Sequence, residues 1–237
     1  MLGDPRFSAL LTGRFTLRRM RLLEPRIERI AADHLDAMAA AGPPADLVTA
    51  YALPIPSLVI CELLGVPYAD HDWFQELSAR LVTFGADGAG ALAELTGYLR
   101  DLARRRRVEP DGGLISDLTG ELDDELAGLA VILLVAGVTV RAGETVALSL
   151  PVINRDPAVY ADPDRLIPGR PEARRHLAFG HGVHQCLGQQ LARIELRIGY
   201  RALFERFPGL RLAVPAAEVP VKHDASVYGV RSLPVTW

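Results

Sequence analysis

The chain has 237 residues, with 26 Lys+Arg against 29 Asp+Glu for a formal charge of −3. That is enough chain to bury a sizeable core, and a composition of 49% hydrophobic and 23% charged residues excludes a disordered or fibrous protein. The near-neutral charge excludes a nucleic-acid binder that holds phosphates by bulk electrostatics. Lys222 is the only lysine, so nearly all the positive charge is arginine, a bias of GC-rich coding. Two cysteines, Cys61 and Cys186, are too few for a disulfide framework and fit a reducing compartment. The start, Met1 to Pro5, has no basic-then-apolar leader. The longest uncharged apolar run, Leu126 to Val140, is shorter than the ~20 residues a bilayer requires. These features predict a cytoplasmic protein with neither membrane nor nucleic acid as partner.

The first half reads as helices. Ile27, Ile30, His34/Leu35 and Met38 keep the spacing of an amphipathic helix that ends near Gly42-Pro43-Pro44. Asp46 is placed to cap the next apolar segment, which Pro54 and Pro56 kink or divide before Gly65. Asp70 opens a helix through about Leu81, and Leu92, Leu95, Leu99 and Leu102 define another. The run Arg104 to Arg107 closes that helix. It reads as a solvated last turn whose cations suit the negative helix end, with a docking patch for an acidic partner as the other reading. Acids from Glu121 to Glu125 then precede a very apolar helix, Leu126 to Ala136.

The second half changes character. Val138 to Val140 and Thr145 to Leu148 predict a β-hairpin, and Asn154 to about Arg175 is an irregular stretch rich in Pro, Asp and Arg. Leu187, Leu191, Ile194 and Ile198 mark a helix, followed by short strands to Trp237. One junction is abrupt. The apolar helix ends at Gly137 and the hairpin begins at Val138, with no loop between them.

The chemistry gathers in Phe179-Gly-His-Gly-Val-His-Gln-Cys-Leu-Gly188. Gly180, Gly182 and Gly188 let the backbone turn tightly and approach a flat ligand closely. Cys186, in a glycine-rich loop just before a helix, feels the positive helix end, which favours the metal-binding thiolate. His184, two residues earlier, adds a donor. Other readings stand beside this one. A lone cysteine is often a buried small hydrophobe, and His176, His181, His184 and Cys186 together are the components of a metal site. Their spacing suits a single axial thiolate better than a four-ligand zinc cage. Cys61, inside an apolar helical run, reads as core.

The segment Phe179 to Gly188 resembles the cysteine-ligand loop of the cytochrome P450 family, matching Phe-x-x-Gly-x-His/Arg-x-Cys-x-Gly at every fixed position. Asn154-Arg-Asp-Pro157 and Asp162-Pro-Asp-Arg165 are similar to the meander before that loop, and Leu191-Ala-Arg-Ile-Glu-Leu196 to the helix behind the haem. Gly3 to Ser8, Phe15 to Arg19 and Leu58 to Pro67 resemble the soluble bacterial branch.

The resemblance implies a truncated fold of this family, mainly α with a small β part (α+β). It would be a single incomplete domain over residues 1–237, helical through residue 137, with hairpin, meander, cysteine loop and following helix beyond. It implies haem b as cofactor, with Cys186 as the proximal thiolate of its iron, pushing electron density to favour O–O cleavage. His184 and His176 would hydrogen-bond the haem propionates. Phe179 would pack beside haem and thiolate, and Gly180, Gly182 and Gly188 would give the loop its shape. The activity implied is insertion of one oxygen atom from dioxygen into a small organic substrate, with electrons from a ferredoxin-type donor and its reductase.

The same comparison implies omissions. The N-terminal sheet, first helices and a basic helix between Ser8 and Leu11 are expected to be missing. At Gly137/Val138 the distal helix would lose its second half with the acid-and-threonine proton relay, and the helix bearing the bracing Glu-x-x-Arg pair would go with it. Glu172-Ala-Arg-Arg175 fits that string by accident, since it stands directly before the cysteine loop. A chain so shortened is expected to expose apolar surface and to be a weak or inactive monooxygenase. The alternative is a non-catalytic helical remnant acting as a binding or regulatory module; the intact cysteine loop favours the enzyme.

Overall fold

A computed structural model describes residues 15–81, 86–118, 138–139, 145–146, 149–182, 185–222 and 229–237. The helical periodicities of the first half become helices with few exceptions. Thr16 caps α1 (Leu17–Arg21) by accepting from the Arg19 N–H. In α2 (Glu24–Ala41) the buried residues Ile27, Ile30, Ala31, Leu35 and Met38 form one stripe, and Gly42 ends the helix at φ 75°. Strand β1 (Ala45–Asp46) follows. Asp46 does cap the next segment: its carboxylate accepts from Val48 N–H at 3.1 Å and from the distant Leu233 N–H at 2.7 Å.

The apolar segment divides at Leu53, after a wide turn over Val48–Ala52. Pro54 and Pro56 then lie in the first turn of α3 (Pro54–Leu64), where a missing N–H breaks no helical bond, so they start the helix and do not kink it. A left-handed Gly65 closes α3. Next come α4 (His71–Leu81), α5 (Ala86–Val108) and α6 (Leu114–Leu118). Leu95, Leu99 and Leu102 are buried to 1% exposure or less, whereas Leu92 is 37% exposed and stands off the buried stripe.

The arginine run needs a correction. Arg106 is not a solvated cation: its guanidinium donates to the Gly65 carbonyl at 2.7 Å and pairs with Asp111 at 2.8 Å. It ties the end of α5 to the end of α3, while its neighbour Arg104 pairs with Asp101 on the surface.

The apolar run Leu126 to Ala136 lies outside the described residues, and so does Gly137 of the abrupt junction. Beyond it the hairpin is present as β2 (Val138–Thr139) and β3 (Thr145–Val146), antiparallel with Val138 opposite Val146. A short α7 (Leu150–Ile153) leads into the irregular stretch. The last helix, α8 (Gln189–Arg206), packs against α2, α1 and α3 through Leu191, Ile194, Ile198, Gly199 and Leu203. Tyr51 donates its buried hydroxyl to the Gly199 carbonyl at 2.8 Å. Strands β4 (Arg211–Leu212) and β5 (Pro234–Thr236) complete an antiparallel sheet of order β1-β5-β4, so that the C-terminal strand lies between its partners. Cys61 is fully buried in the core, as expected. Among the described residues no helix is long and apolar enough to cross a membrane.

Asp46 therefore joins the turn after β1 to the strand that closes the sheet. Asp46→Ala is expected to lower the unfolding free energy by about 2 kcal/mol, because two backbone N–H groups lose their acceptor. Both N–H groups donate to the same oxygen, so Asp46→Asn can keep both bonds without the charge and is expected to lose less than about half of that in urea unfolding.

Candidate functional site

The stretch from Asn154 to His176 is held by side chains acting on backbone. Arg170 reaches back to the carbonyls of Asp162 (3.0 Å) and Arg165 (3.1 Å) and contacts that of Ala161. Asn154 accepts from Leu177 N–H at 2.7 Å, which fixes the entry of the cysteine loop against the start of the meander. The Leu177 carbonyl in turn accepts from Gly180 N–H at 2.9 Å.

The loop then folds back on itself. Gly180 and Gly182 have φ of 70° and 76°, a conformation that disfavours side chains. The Cys186 amide donates to the Phe179 carbonyl at 2.8 Å, and Gln185 N–H to the Gly182 carbonyl at 3.1 Å. Gly188 differs from the other two. Its φ of −75° suits any residue, and a Cβ there would meet the Cys186 Sγ at 3.8 Å, an ordinary contact. Conformational demand thus falls on Gly180 and Gly182. Gly188 is the N-terminal cap position of α8, which begins three residues after Cys186.

Cys186 is a free, exposed thiol, and Cys61 a free, buried one. Burial, with the neighbouring Glu62 carboxylate, pushes the Cys61 thiol up to about 12. His176 sits beside the loop. Its Nδ1 lies 3.2 Å from the Ala178 N–H, its Nε2 3.2 Å from the Arg193 guanidinium, and its ring meets that of Phe179 edge-on at 5.8 Å. Arg193 also covers the Phe179 ring at 5.3 Å, a cation–π contact. A neutral imidazole can accept at only one nitrogen, so the Phe179 face is the part of this contact that does not depend on the tautomer. Sequence reasoning missed Arg193 and Arg170. Arg193 lies two turns beyond Cys186, and its apolar neighbours identified the helix without revealing which way the cation reaches.

His184 lies outside the described residues. Among those described, no three His, Cys, Asp or Glu side chains gather as a metal cage. Among the described residues, the soft donor that the loop presents is the Cys186 thiol. That donor set fits an axial ligand of haem iron: one exposed sulfur, on a loop shaped by its own backbone bonds, with no acidic side chain in 176–188. Two surface clefts, of about 380 and 410 Å³, lie between α2 and α8 and around the ends of α3 and α5. Neither is lined by a residue of the cysteine loop.

Residues 133–223 match the family model for cytochrome P450. The cytochrome P450 105C1 of a Streptomyces species is 42% identical over a match covering all of this chain and 80% of that protein. The pentalenic acid synthase of Streptomyces avermitilis is 42% identical, covering 96% of this chain and 74% of its own length. The chain belongs to the cytochrome P450 family.

Among solved structures it is similar to the LnmA cytochrome P450 hydroxylase of the leinamycin pathway in Streptomyces atroolivaceus. The TM-score is 0.87 at 35% identity, over 98% of this chain and 79% of that one. The mainly helical P450 fold with a small sheet is thus established, as is the family's chemistry: haem-dependent monooxygenation of small organic molecules, with electrons from redox partners. The names of these relatives are those of enzymes, which favours the enzyme over a non-catalytic binding module. The match to the 105C1 protein runs over 305 residues against 237 in this chain. That relative carries internal residues that this P450 lacks.

Two outcomes follow from the site's environment. At about pH 8, iodoacetamide is expected to label Cys186 and spare Cys61, as burial keeps the latter a thiol; mass spectrometry of the digest reads the result. The second outcome concerns Glu195 of α8, whose carboxyl burial pushes up from 4.5 to about 7. The folded chain then binds this proton more tightly than the unfolded one. Stability should fall as pH rises from the unfolded value through about 7 and level off above it, a loss on the order of 3 kcal/mol. Glu195→Gln is expected to unfold at higher urea than the wild type at about pH 8 and to lose that advantage at about pH 4.

Proposed function

We propose that the Cys186 thiolate is the proximal ligand of haem b iron and that this P450 oxygenates a small organic substrate, drawing electrons from a ferredoxin-type donor and its reductase. The observation that carries this reading is the exposed, unpaired Cys186 thiol at the mouth of a loop already closed by its own backbone. When bound, haem supplies the activation of dioxygen and the delivery of one oxygen atom, chemistry the protein itself does not possess.

The chain's own residues hold and orient. Gly180 and Gly182 supply the positive φ with which the loop reverses. Phe179 contributes its carbonyl to the Cys186 amide and its ring to the surface beside the sulfur's loop. Arg193 and His176 fix that ring, so in this proposal His176 braces the loop and the propionate contact falls to His184. Gly188 caps the start of α8 beside the sulfur without a conformational demand of its own. On the family resemblance, the internal residues lacking here are the distal half-helix with its proton relay and the bracing helix. Haem uptake is therefore expected to survive where rapid turnover does not.

The test is haem uptake by the purified chain, measured as iron per protein after gel filtration. One haem per chain is expected for the wild type, with loss of most of it in Cys186→Ala, whose exposed site leaves urea stability unchanged. Equal haem content in the two proteins would contradict the assignment of Cys186.

A further inference from the structure

Packing does little to shape the approach to the cysteine loop. Of residues 154–176 only Tyr160 is buried, at 6% exposure. A stretch with a single side chain in the interior cannot take its path from apolar burial. Its backbone bonds are all local: Tyr160 N–H donates to the Asp156 carbonyl, Arg165 N–H to that of Asp162 and Arg170 N–H to that of Ile167. Two exposed ion pairs, Arg155 with Asp164 at 3.5 Å and Arg165 with Asp162 at 3.6 Å, contribute little.

Arg170 is different. Its two terminal nitrogens divide among three carbonyls. One donates to Ala161, and the other to Asp162 at 3.0 Å and Arg165 at 3.1 Å. The bonds enclose Asp162, whose φ of 47° is a conformation that few side chains adopt and that persists where the surroundings fix it. The clasped turn starts next to the buried Tyr160 and ends where the short helical turn Pro171–Arg175 begins. Beyond that turn, Leu177 N–H reaches Asn154 at 2.7 Å.

We infer that Arg170 is a positioning residue for Cys186. It locks residues 161–170 into one shape, and through that shape it delivers Leu177 to Asn154 and Phe179 to the Cys186 amide. The inference rests on the proposed haem ligation only for what Cys186 is positioned to do. The contact calls for arginine. A planar guanidinium places donors on two nitrogens in a fixed fork, whereas a lysine ammonium is one point charge and cannot divide itself among these carbonyls.

Amide hydrogen exchange at Leu177 and Cys186 tests this in the full chain without haem, so the outcome is independent of whether Cys186 binds iron. Arg170→Ala is expected to speed exchange at both amides at least about tenfold, with an unchanged urea midpoint. Arg170→Lys is expected to behave in the same way, and it decides the question alone if Arg170→Ala fails to fold. Guanidinium chloride, well below denaturing concentration, should slow exchange again in Arg170→Ala by occupying the freed carbonyls, while sodium chloride at the same concentration should not. Arg174→Ala, which removes an exposed arginine from the neighbouring turn, is expected to leave both amides as in the wild type. Wild-type exchange in Arg170→Ala or Arg170→Lys would overturn the inference. Faster exchange in Arg174→Ala would do the same, as would equal effects of the two salts.

Discussion

One backbone hydrogen bond, from the Cys186 amide to the Phe179 carbonyl, closes the loop that carries the proposed haem ligand of this P450. It brings two residues seven apart into contact, which is possible only because Gly180 and Gly182 take up left-handed conformations between them. Everything around the loop acts on one of its two ends. Asn154 holds the entry through Leu177, Arg193 and His176 hold Phe179, and α8 carries the exit from Gly188 onward. A site that must place a sulfur atom needs supports of this kind on rigid elements, and α8 is rigid because its inner face is packed.

That inner face is packed by the first half of the chain. α1, α2 and α3 meet α8 across the whole sequence, Tyr51 bonds to Gly199, and Asp46 holds Leu233 next to the central strand of the sheet. The loop's foundation therefore does not run through the internal residues that the relatives carry in addition. On the other side of α8, Leu196, Tyr200 and Phe204 face water. The chain combines a supported cysteine loop with an exposed apolar face on the helix that follows it.

Much of this was legible in the sequence, for physical reasons that can be named. Periodic burial found α2 and α5, and Gly42 and Gly65 marked helix ends because left-handed turns there exclude most other residues. Phe179 to Gly188 pointed to the family through a long fixed pattern, in which Gly180 and Gly182 are held by their positive φ. Long-range polar contacts were not legible. Nothing in the run Arg104 to Arg107 distinguishes the one arginine that turns inward to Gly65 from those that face solvent. Arg170 and Arg193 act on backbone and rings far along the chain, and no local spacing encodes that. Of the two readings open for Pro54 and Pro56, the division holds and the kink does not, because a helix start and a helix break share the same residue type.

The central claim is that Cys186 meets haem iron as a thiolate on a loop that keeps its shape in this shortened chain. The absorption spectrum of the haem-loaded, reduced, carbon-monoxide-bound protein tests it most directly. The account predicts a Soret band at the long-wavelength position from which the family takes its name. A band at the shorter-wavelength position of a neutral ligand, from protein shown to be folded and haem-loaded, would contradict it.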